Sequence, residues 1–318
     1  MTRNKIALIR NRIAQGRTQL RRIALLALLT GLSTLAAQTA PPPATSPAMP
    51  PETQTPAQTP PLDGIAHIAI RVADLAASVA FYHKLGFEQA FALTGKDGNI
   101  SQSFLKIDDR QFIELYPVSA QNPQIGFLHL CFEGDDLNAI HDYYVGEGLT
   151  PISVRKSGAG NLLFTLKGPL QFADPQNIEY THYMTGSLHS NDIGKHLEAD
   201  RVADKMVMVT LAMQDPAAAR KFYNDKLGFV PVDGGSRLAW RFGLPGASRE
   251  AVEIVPVENL GAKSSITLTS PDIRRSGELL KTAGIAFKDR DGLIVTDPDG
   301  NLITILPQPG TFHPERMK

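Results

Sequence analysis

The stretch ADLAASVAFYHKLGF, from Ala73 to Phe87, returns 141 residues later as QDPAAARKFYNDKLGF, from Gln214 to Phe229. Both copies carry an Asp that suits the N-cap of a helix, a Phe-Tyr pair further along, and a Leu-Gly-Phe ending in which Gly stops the helix. Self-similarity at a fixed separation indicates a duplicated structural unit. We therefore expect the two halves of the chain to share one architecture.

A strand precedes each copy of this helix, and three strands follow it. The first unit opens with an alternating strand at residues 65–71, and similar units open at Gly126, Met206 and Ser264. Pro271 is predicted to start the helix of the fourth unit. The further strands of the first half are predicted near residues 88–94, 101–107, 111–116, 151–155, 162–166 and 177–183.

These four βαβββ units predict an α+β fold. A single unit leaves the concave face of its sheet exposed, so we expect the units to pair into two half-open, barrel-like domains with the helices outside. We expect the second domain to shape or cover the mouth of the cavity in the first.

Residues 1–40 have the organisation of a bacterial export signal. Residues 1–22 contain seven Lys or Arg and no acidic residue, residues 23–37 are mostly apolar, and small residues follow. The apolar run is shorter than the roughly 20 residues that a membrane span needs, so cleavage is predicted. We expect a periplasmic or extracellular protein that has no membrane contact after cleavage.

The remaining boundaries follow from composition and from the repeat. Residues 41–61 contain nine prolines and are predicted to be an extended, unfolded linker. The predicted segments are this linker, a metal-binding domain at 62–185, a second linker at 186–204, a degenerate domain at 205–308 and a tail at 309–318.

The charge balance limits the partners. Loss of residues 1–40 removes seven basic residues and leaves 25 Lys and Arg against 32 Asp and Glu, a net charge of about −7. An acidic chain without a basic run is a poor nucleic-acid binder, so we expect a small-molecule substrate and no nucleic-acid partner. The lone Cys131 excludes an intrachain disulfide. Whether the domains pair within one chain or across a homodimer is open.

Four side chains occupy matching places in the first two units. His67 and His129 lie on the first strands of these units, and Glu114 and Glu179 lie on the last strands. Units related by a pseudo-twofold axis would bring all four into the centre of one cavity. Charged groups in an apolar cavity are costly unless something compensates them, and imidazole with carboxylate suits Fe, Mn, Co, Ni or Zn. We therefore predict one divalent metal ion.

The matching positions in the second half do not form such a set, because three of the four cannot serve as His or carboxylate ligands. They are Met208, Glu253, Thr267 and Thr304. We expect no metal there.

Side chains two residues away from each predicted ligand share its face of the sheet. They predict a cavity lining of Ala69, Arg71, Phe112, Tyr116, Phe127, Cys131, Thr181 and Tyr183. Arg71 is a candidate for binding a substrate carboxylate, and Cys131 is interpreted mainly as a small apolar filler. The loop at residues 155–160 is either a lid over the cavity or an ordinary surface hairpin.

The paired units, the Phe-Tyr and Leu-Gly-Phe helix end and the His, Glu, His, Glu placement resemble the vicinal oxygen chelate superfamily. Its members include glyoxalases, methylmalonyl-CoA epimerases, extradiol ring-cleaving dioxygenases and antibiotic-resistance proteins. The resemblance covers the chain after the Pro-rich linker. It implies His67, Glu114, His129 and Glu179 as the metal ligands.

The number of ligands separates three hypotheses. Four protein ligands leave an octahedral ion two open positions for two vicinal oxygens of a substrate. This arrangement favours proton transfer by an isomerase or lyase, with Glu114 or Glu179 as general base. Tyr116 and Tyr183 would then hydrogen-bond the developing oxyanion.

The first alternative is an extradiol-type dioxygenase, which needs three open positions and would use His67, His129 and Glu179 as its metal ligands. The second alternative is a metal-free small-molecule binding protein.

Overall fold

The strands form two eight-stranded sheets, one from each half of the sequence. The computed structural model describes residues 58–171, 175–233, 239–260, 263 and 265–309. The predicted export signal, most of the Pro-rich linker and all but residue 309 of the predicted tail lie outside these residues.

The first half repeats one strand–helix–strand pattern twice. Its elements are β1 (Gly64–Val72), α1 (Leu75–Lys84), β2 (Gln89–Thr94), β3 (Ile100–Lys106), β4 (Phe112–Pro117), β5 (Gly126–Glu133), α2 (Leu137–Gly146), β6 (Arg155–Lys156), β7 (Leu162–Leu170), β8 (Pro175–His182) and α3 (Leu188–Asn191). The strand order is β2-β3-β4-β1-β5-β8-β7-β6. At the centre, β1 and β5 are antiparallel, and each pairs in parallel with the last strand of its own unit.

The second half has the same topology. Its elements are β9 (Lys205–Met213), α4 (Pro216–Asp225), β10 (Val230–Val232), β11 (Trp240–Gly243), β12 (Ala251–Pro256), α5 (Val257–Leu260), β13 (Ser265–Ser270), α6 (Ile273–Thr282), β14 (Phe287–Asp289), β15 (Leu293–Thr296) and β16 (Leu302–Pro307). The order β10-β11-β12-β9-β13-β16-β15-β14 matches the first sheet strand for strand. The predicted α+β fold of four paired βαβββ units is confirmed, whereas the exact domain boundaries remain a prediction.

Each of the four ten-residue helices begins at an Asp. The side chains of Asp74, Asp136 and Asp215 each accept a hydrogen bond from the backbone N–H three residues further on, at 2.9–3.0 Å. This satisfies one of the N–H groups that a helix start leaves unpaired. In the fourth unit Asp272 is the cap, so the prediction that Pro271 starts that helix was wrong by two residues.

The helix faces of the two sheets share one hydrophobic core. The buried Tyr82 of α1 donates a hydrogen bond to Asp297 in the second half, and the buried Tyr223 of α4 donates to Gln176 in the first. Phe132 and Phe229 are in edge-to-face contact, with ring centroids 5.2 Å apart. The repeated Phe-Tyr motif therefore joins the halves as well as packing each helix on its own sheet.

Two segments differ from the expected pattern. The strand predicted near residues 151–155 is only the two-residue β6 at its far end. The segment at 186–204, predicted to be a linker, contains α3 and is fixed to the first half. The fully buried Lys106 ammonium lies 2.9 Å from the Asp192 carboxylate, and Val202 N–H donates to the Leu85 carbonyl at 3.0 Å. Within the part of the chain that the structure describes, no helix is long and apolar enough to cross a membrane.

Candidate metal centre

The strand register brings the four predicted ligands onto one face of the first sheet. Two neighbouring rows run across its central strands, and each row contains one His, one small residue and one Glu. One row consists of Glu114, Ala69 and His129, and the other row consists of His67, Cys131 and Glu179. The pseudo-twofold axis between β1 and β5 exchanges the rows, so Cys131 occupies the place that corresponds to Ala69. This symmetry supports its interpretation as a small filler.

The side-chain atoms of this group converge. The Nε2 atom of His67 lies 3.1 Å from Nε2 of His129, 3.0 Å from Oε2 of Glu114 and 3.6 Å from Oε1 of Glu179. The Nε2 atom of His129 lies 3.5 Å from the same Glu114 oxygen. Neighbouring ligands of an octahedral ion with bonds of 2.0–2.2 Å are separated by about 3 Å. Two sets of three side chains have ligand atoms within 4.8 Å of one another: His67, Glu114 and His129, and His67, Cys131 and Glu179. The cluster therefore suits one divalent metal ion, and the binding of that ion by all four predicted side chains remains a prediction.

Burial and charge keep these groups in a state suited to a cation. Burial alone would raise the pKa of the Glu114 carboxyl, but the adjacent His67 and His129 imidazoles lower it overall. Burial opposes protonation of His129, yet the Glu179 and Glu114 carboxylates raise its pKa. The cluster thus attracts positive charge, and an incoming metal ion would displace the proton.

Tyr116 and Gln102 fix the orientation of Glu114. The Tyr116 hydroxyl donates to Oε1 of Glu114 at 2.8 Å and accepts from the Gln102 amide at 2.5 Å. This leaves the other carboxylate oxygen, Oε2, facing the two histidines. Burial and the neighbouring Glu114 charge raise the Tyr116 pKa, so the hydroxyl keeps its proton. Partners of this kind orient metal ligands.

Tyr183 contacts a ligand on its other side. Its hydroxyl lies 3.3 Å from Nδ1 of His67, the nitrogen that does not face the cluster. Tyr183 is not among the side chains that line the cavity beside the cluster. Its position suits holding the His67 ring, and the predicted contact with a substrate oxyanion remains a prediction.

A β-bulge changes part of the predicted lining. The pairing of β1 with β5 shifts between Ala69 and Ile70, so that Ile70 lies opposite Phe127. Phe127 consequently packs against the main core instead of the cavity, and its predicted place was wrong. Arg71 lies near the surface, with its guanidinium 3.4 Å from the Gln124 carbonyl oxygen, and does not line the cavity. Phe112 and Cys131 pack together in a separate buried cluster with Tyr183.

The cavity has a volume of about 150 Å³ and is lined by residues of the first half. This contradicts the expectation that the second domain covers its mouth. The loop at residues 155–160 is a tight turn between β6 and β7, with Gly160 N–H donating to the Ser157 carbonyl at 3.1 Å. Four of its residues line the cavity: Arg155, Ser157, Gly158 and Ala159. It is therefore a hairpin that borders the cavity.

Sequence reasoning missed several lining residues. Gln102 and Phe104 come from β3, Asn161 follows the β6–β7 loop, and His189 comes from α3. The period-two pattern that found the ligands applies to strands and gives no signal for a residue of a short helix between the two halves, so His189 was not predictable in this way.

The corresponding place in the second half is occupied by an ordinary ion pair. The Glu253 carboxylate accepts from the Arg241 guanidinium at 2.8 Å and from the Thr210 hydroxyl at 3.0 Å. Among the described residues, the groups of His, Cys, Asp and Glu that could hold an ion all contain His67.

Comparison with known proteins agrees with the fold. Residues 64–180 match the family model Glyoxalase/Bleomycin resistance protein/Dioxygenase superfamily, which confirms the resemblance inferred from the sequence. No curated protein matches the chain.

Two solved structures illustrate the similarity. A Mn(II)-bound glyoxalase from Novosphingobium aromaticivorans is 16% identical, with a TM-score of 0.61 over 78% of this chain and 82% of that chain. The 2,3-dioxygenase LapB from Pseudomonas sp. KL28 is 15% identical, with a TM-score of 0.60 over 80% of this chain and 95% of that chain. At this level of identity the similarity shows the fold alone.

Proposed function

We propose, from the match of residues 64–180 to the glyoxalase, bleomycin resistance protein and dioxygenase superfamily model, that this protein is a metal-dependent isomerase or lyase that acts on a small substrate with two vicinal oxygens. The observation that carries the proposal is the cluster of side chains around His67, in which Tyr116 fixes Glu114 so that Oε2 faces both histidines. Four protein ligands leave two positions of an octahedral ion for the substrate.

The side chains of the cluster and of the cavity wall have different proposed roles. His67, Glu114, His129 and Glu179 would hold the ion, which supplies a Lewis acid that acidifies a proton beside a carbonyl. Glu179 is the less enclosed carboxylate, with 12% of its side chain exposed against 5% for Glu114. Glu179 is therefore better placed to leave the cluster and accept a proton as general base. Tyr116 keeps its proton and lines the cavity, where it can donate to a developing oxyanion.

A ring-cleaving dioxygenase is the second candidate. His67 Nε2 lies close to both His129 and Glu179, so the same cluster contains a set of two histidines and one carboxylate without Glu114. The fixed position of Glu114 favours the first candidate, since this ligand would have to withdraw to open a third position.

Metal content tests the proposal first. The full chain, purified without chelators, is compared by elemental analysis with a His67→Ala/His129→Ala variant and with a Glu253→Gln control. Glu253 occupies the place of Glu114 in the half that lacks other ligands. We expect about one metal ion per chain in the wild type and the control and none in the double variant. A wild type that stays empty in the presence of Mn, Fe, Co, Ni or Zn would contradict both enzyme hypotheses and leave the binding protein.

Two assays then separate the reactions. Proton transfer predicts exchange of the carbon-bound protons of hydroxyacetone in D₂O, followed by NMR and lost in Glu179→Gln. Ring cleavage predicts oxygen uptake with catechol and Fe(II) instead. Oxygen uptake without any exchange would overturn the isomerase or lyase proposal.

We also propose that the protein is exported by a bacterium and acts in the periplasm or outside the cell. The support is the basic, apolar and small-residue order of residues 1–40. Fractionation of cells that express the full chain, with N-terminal sequencing of the product, tests this. An uncleaved chain in the cytoplasm contradicts it.

A further inference from the structure

His189 is a buried histidine on the wall of the cavity, and neither of its ring nitrogens has a hydrogen-bond partner among the described residues. Only 2% of the residue is exposed. Polar atoms that are buried without a partner are rare in folded proteins because burial costs them their hydrogen bonds to water. The other buried polar side chain beside the loop, Asn161, donates to the Thr181 hydroxyl at 2.6 Å.

The surroundings of His189 hold the ring in place without bonding its nitrogens. Tyr183 stacks on it with ring centroids 4.0 Å apart, and Phe91 and Phe112 make edge contacts at 4.8 and 5.0 Å. The N–H of Leu188 donates to the Ala159 carbonyl at 2.8 Å, which attaches α3 to the loop bordering the cavity. A residue needed only for packing at this aromatic site would require no nitrogens.

His189 is not a further metal ligand in this arrangement. It belongs to neither group of described side chains whose ligand atoms lie within 4.8 Å of one another. Burial, followed by the charge of His67, lowers its pKa to about 3. The neutral ring offers one N–H donor and one bare nitrogen acceptor, which together complement a hydroxyl group.

We propose that His189 is a substrate-binding residue that hydrogen-bonds a third oxygen, a hydroxyl, on a substrate whose two vicinal oxygens face the His67 cluster. This inference rests on the proposed function and specifies its substrate class as small hydroxylated carbonyl compounds or their enediolates. The cavity volume of about 150 Å³ agrees, since a space of this order encloses a small ring. The cavity is the route by which a group can reach this enclosed ring.

Matched chelators test the proposal. Acetohydroxamate presents two vicinal oxygens, glycolohydroxamate adds one hydroxyl, and 3-hydroxypropanohydroxamate places that hydroxyl one carbon further away. Each is titrated calorimetrically into the full-length, Mn(II)-loaded wild type and into the His189→Phe variant. This variant keeps an aromatic ring but has no nitrogens.

We expect at least one hydroxylated probe to bind the wild type about tenfold more tightly than acetohydroxamate, as one additional hydrogen bond predicts. His189→Phe should lose this gain while its metal content and its affinity for acetohydroxamate stay unchanged. His189→Gln, which retains a donor and an acceptor, should recover part of it.

Two results would overturn the inference alone: no gain with either hydroxylated probe, or a gain that persists in His189→Phe. A wild type that binds neither Mn(II) nor acetohydroxamate would instead refute the proposed function, and the inference with it.

Discussion

Replacing His189 with Phe should change how the stability of the protein depends on pH. Burial, and then the charge of His67, lowers the pKa of His189 to about 3, while the Glu114 charge acts in the opposite direction. In the unfolded chain the same side chain titrates near pH 6.5. Between these values the unfolded state binds a proton that the folded state excludes, so stability falls as the pH decreases from 6.5 towards 3.

The expected magnitude follows from these two pKa values. Lowering the pH from 7.5 to 5 should reduce the free energy of unfolding of the wild type by about 2 kcal/mol through His189 alone. The His189→Phe variant should not show this reduction. Urea unfolding of chelator-treated wild type and His189→Phe at both pH values measures it. The free energy of unfolding of His189→Phe minus that of the wild type should be about 2 kcal/mol larger at pH 5 than at pH 7.5.

The control is Val145→Phe at an exposed position of α2, a substitution that neither removes nor adds a titratable group. A difference for His189→Phe that is the same at both pH values would show that this histidine is not held neutral in the folded protein. His189 would then not present a donor and acceptor pair on the cavity wall.

Four further substitutions test other contacts. Tyr116→Phe removes the hydrogen bond to the metal-site carboxylate and should lower metal affinity about tenfold in a competition titration, with stability retained. Gly98→Ala, at φ +81° with open space around it, should cost about 1 kcal/mol in urea unfolding. Gly86→Ala should cost about 2 kcal/mol more than Gly98→Ala, because the added Cβ would lie 2.7 Å from the Cα of Arg201. Equal costs for the two substitutions would contradict this packing. Lys106→Met should destabilise by about 3 kcal/mol by removing the ammonium from the buried Asp192 carboxylate, which keeps its contact with His196. A loss under 1 kcal/mol would contradict this.

Much of the site was predictable because its positions repeat. His67 and His129 lie on the first strands of equivalent units, and Glu114 and Glu179 lie on the last strands. A period-two pattern and a duplication together therefore place these four side chains on one face of the sheet. The helix caps were equally local, since an Asp side chain bonds an N–H only three residues away. Such features need no knowledge of distant parts of the chain.

Phe127 shows where the same reasoning fails. A single extra residue in the pairing of β1 with β5 moves this side chain from the cavity face to the core face. A bulge reverses which face of the sheet the following side chains of a strand occupy. Whether a bulge forms depends on the partner strand, which the local sequence does not describe.

The sequence by itself determined the four βαβββ units, their helix ends and the four residues of the candidate metal centre, because each depends on short spacings and on the repeat. The tertiary structure decided the wall around that centre. The buried pair of Lys106 with Asp192 and the stack of His189 on Tyr183 bring residues of an apparent linker against the cavity of the first sheet. Contacts of this kind join positions far apart in the chain, and their energies depend on burial and register that exist only after the sheet has formed.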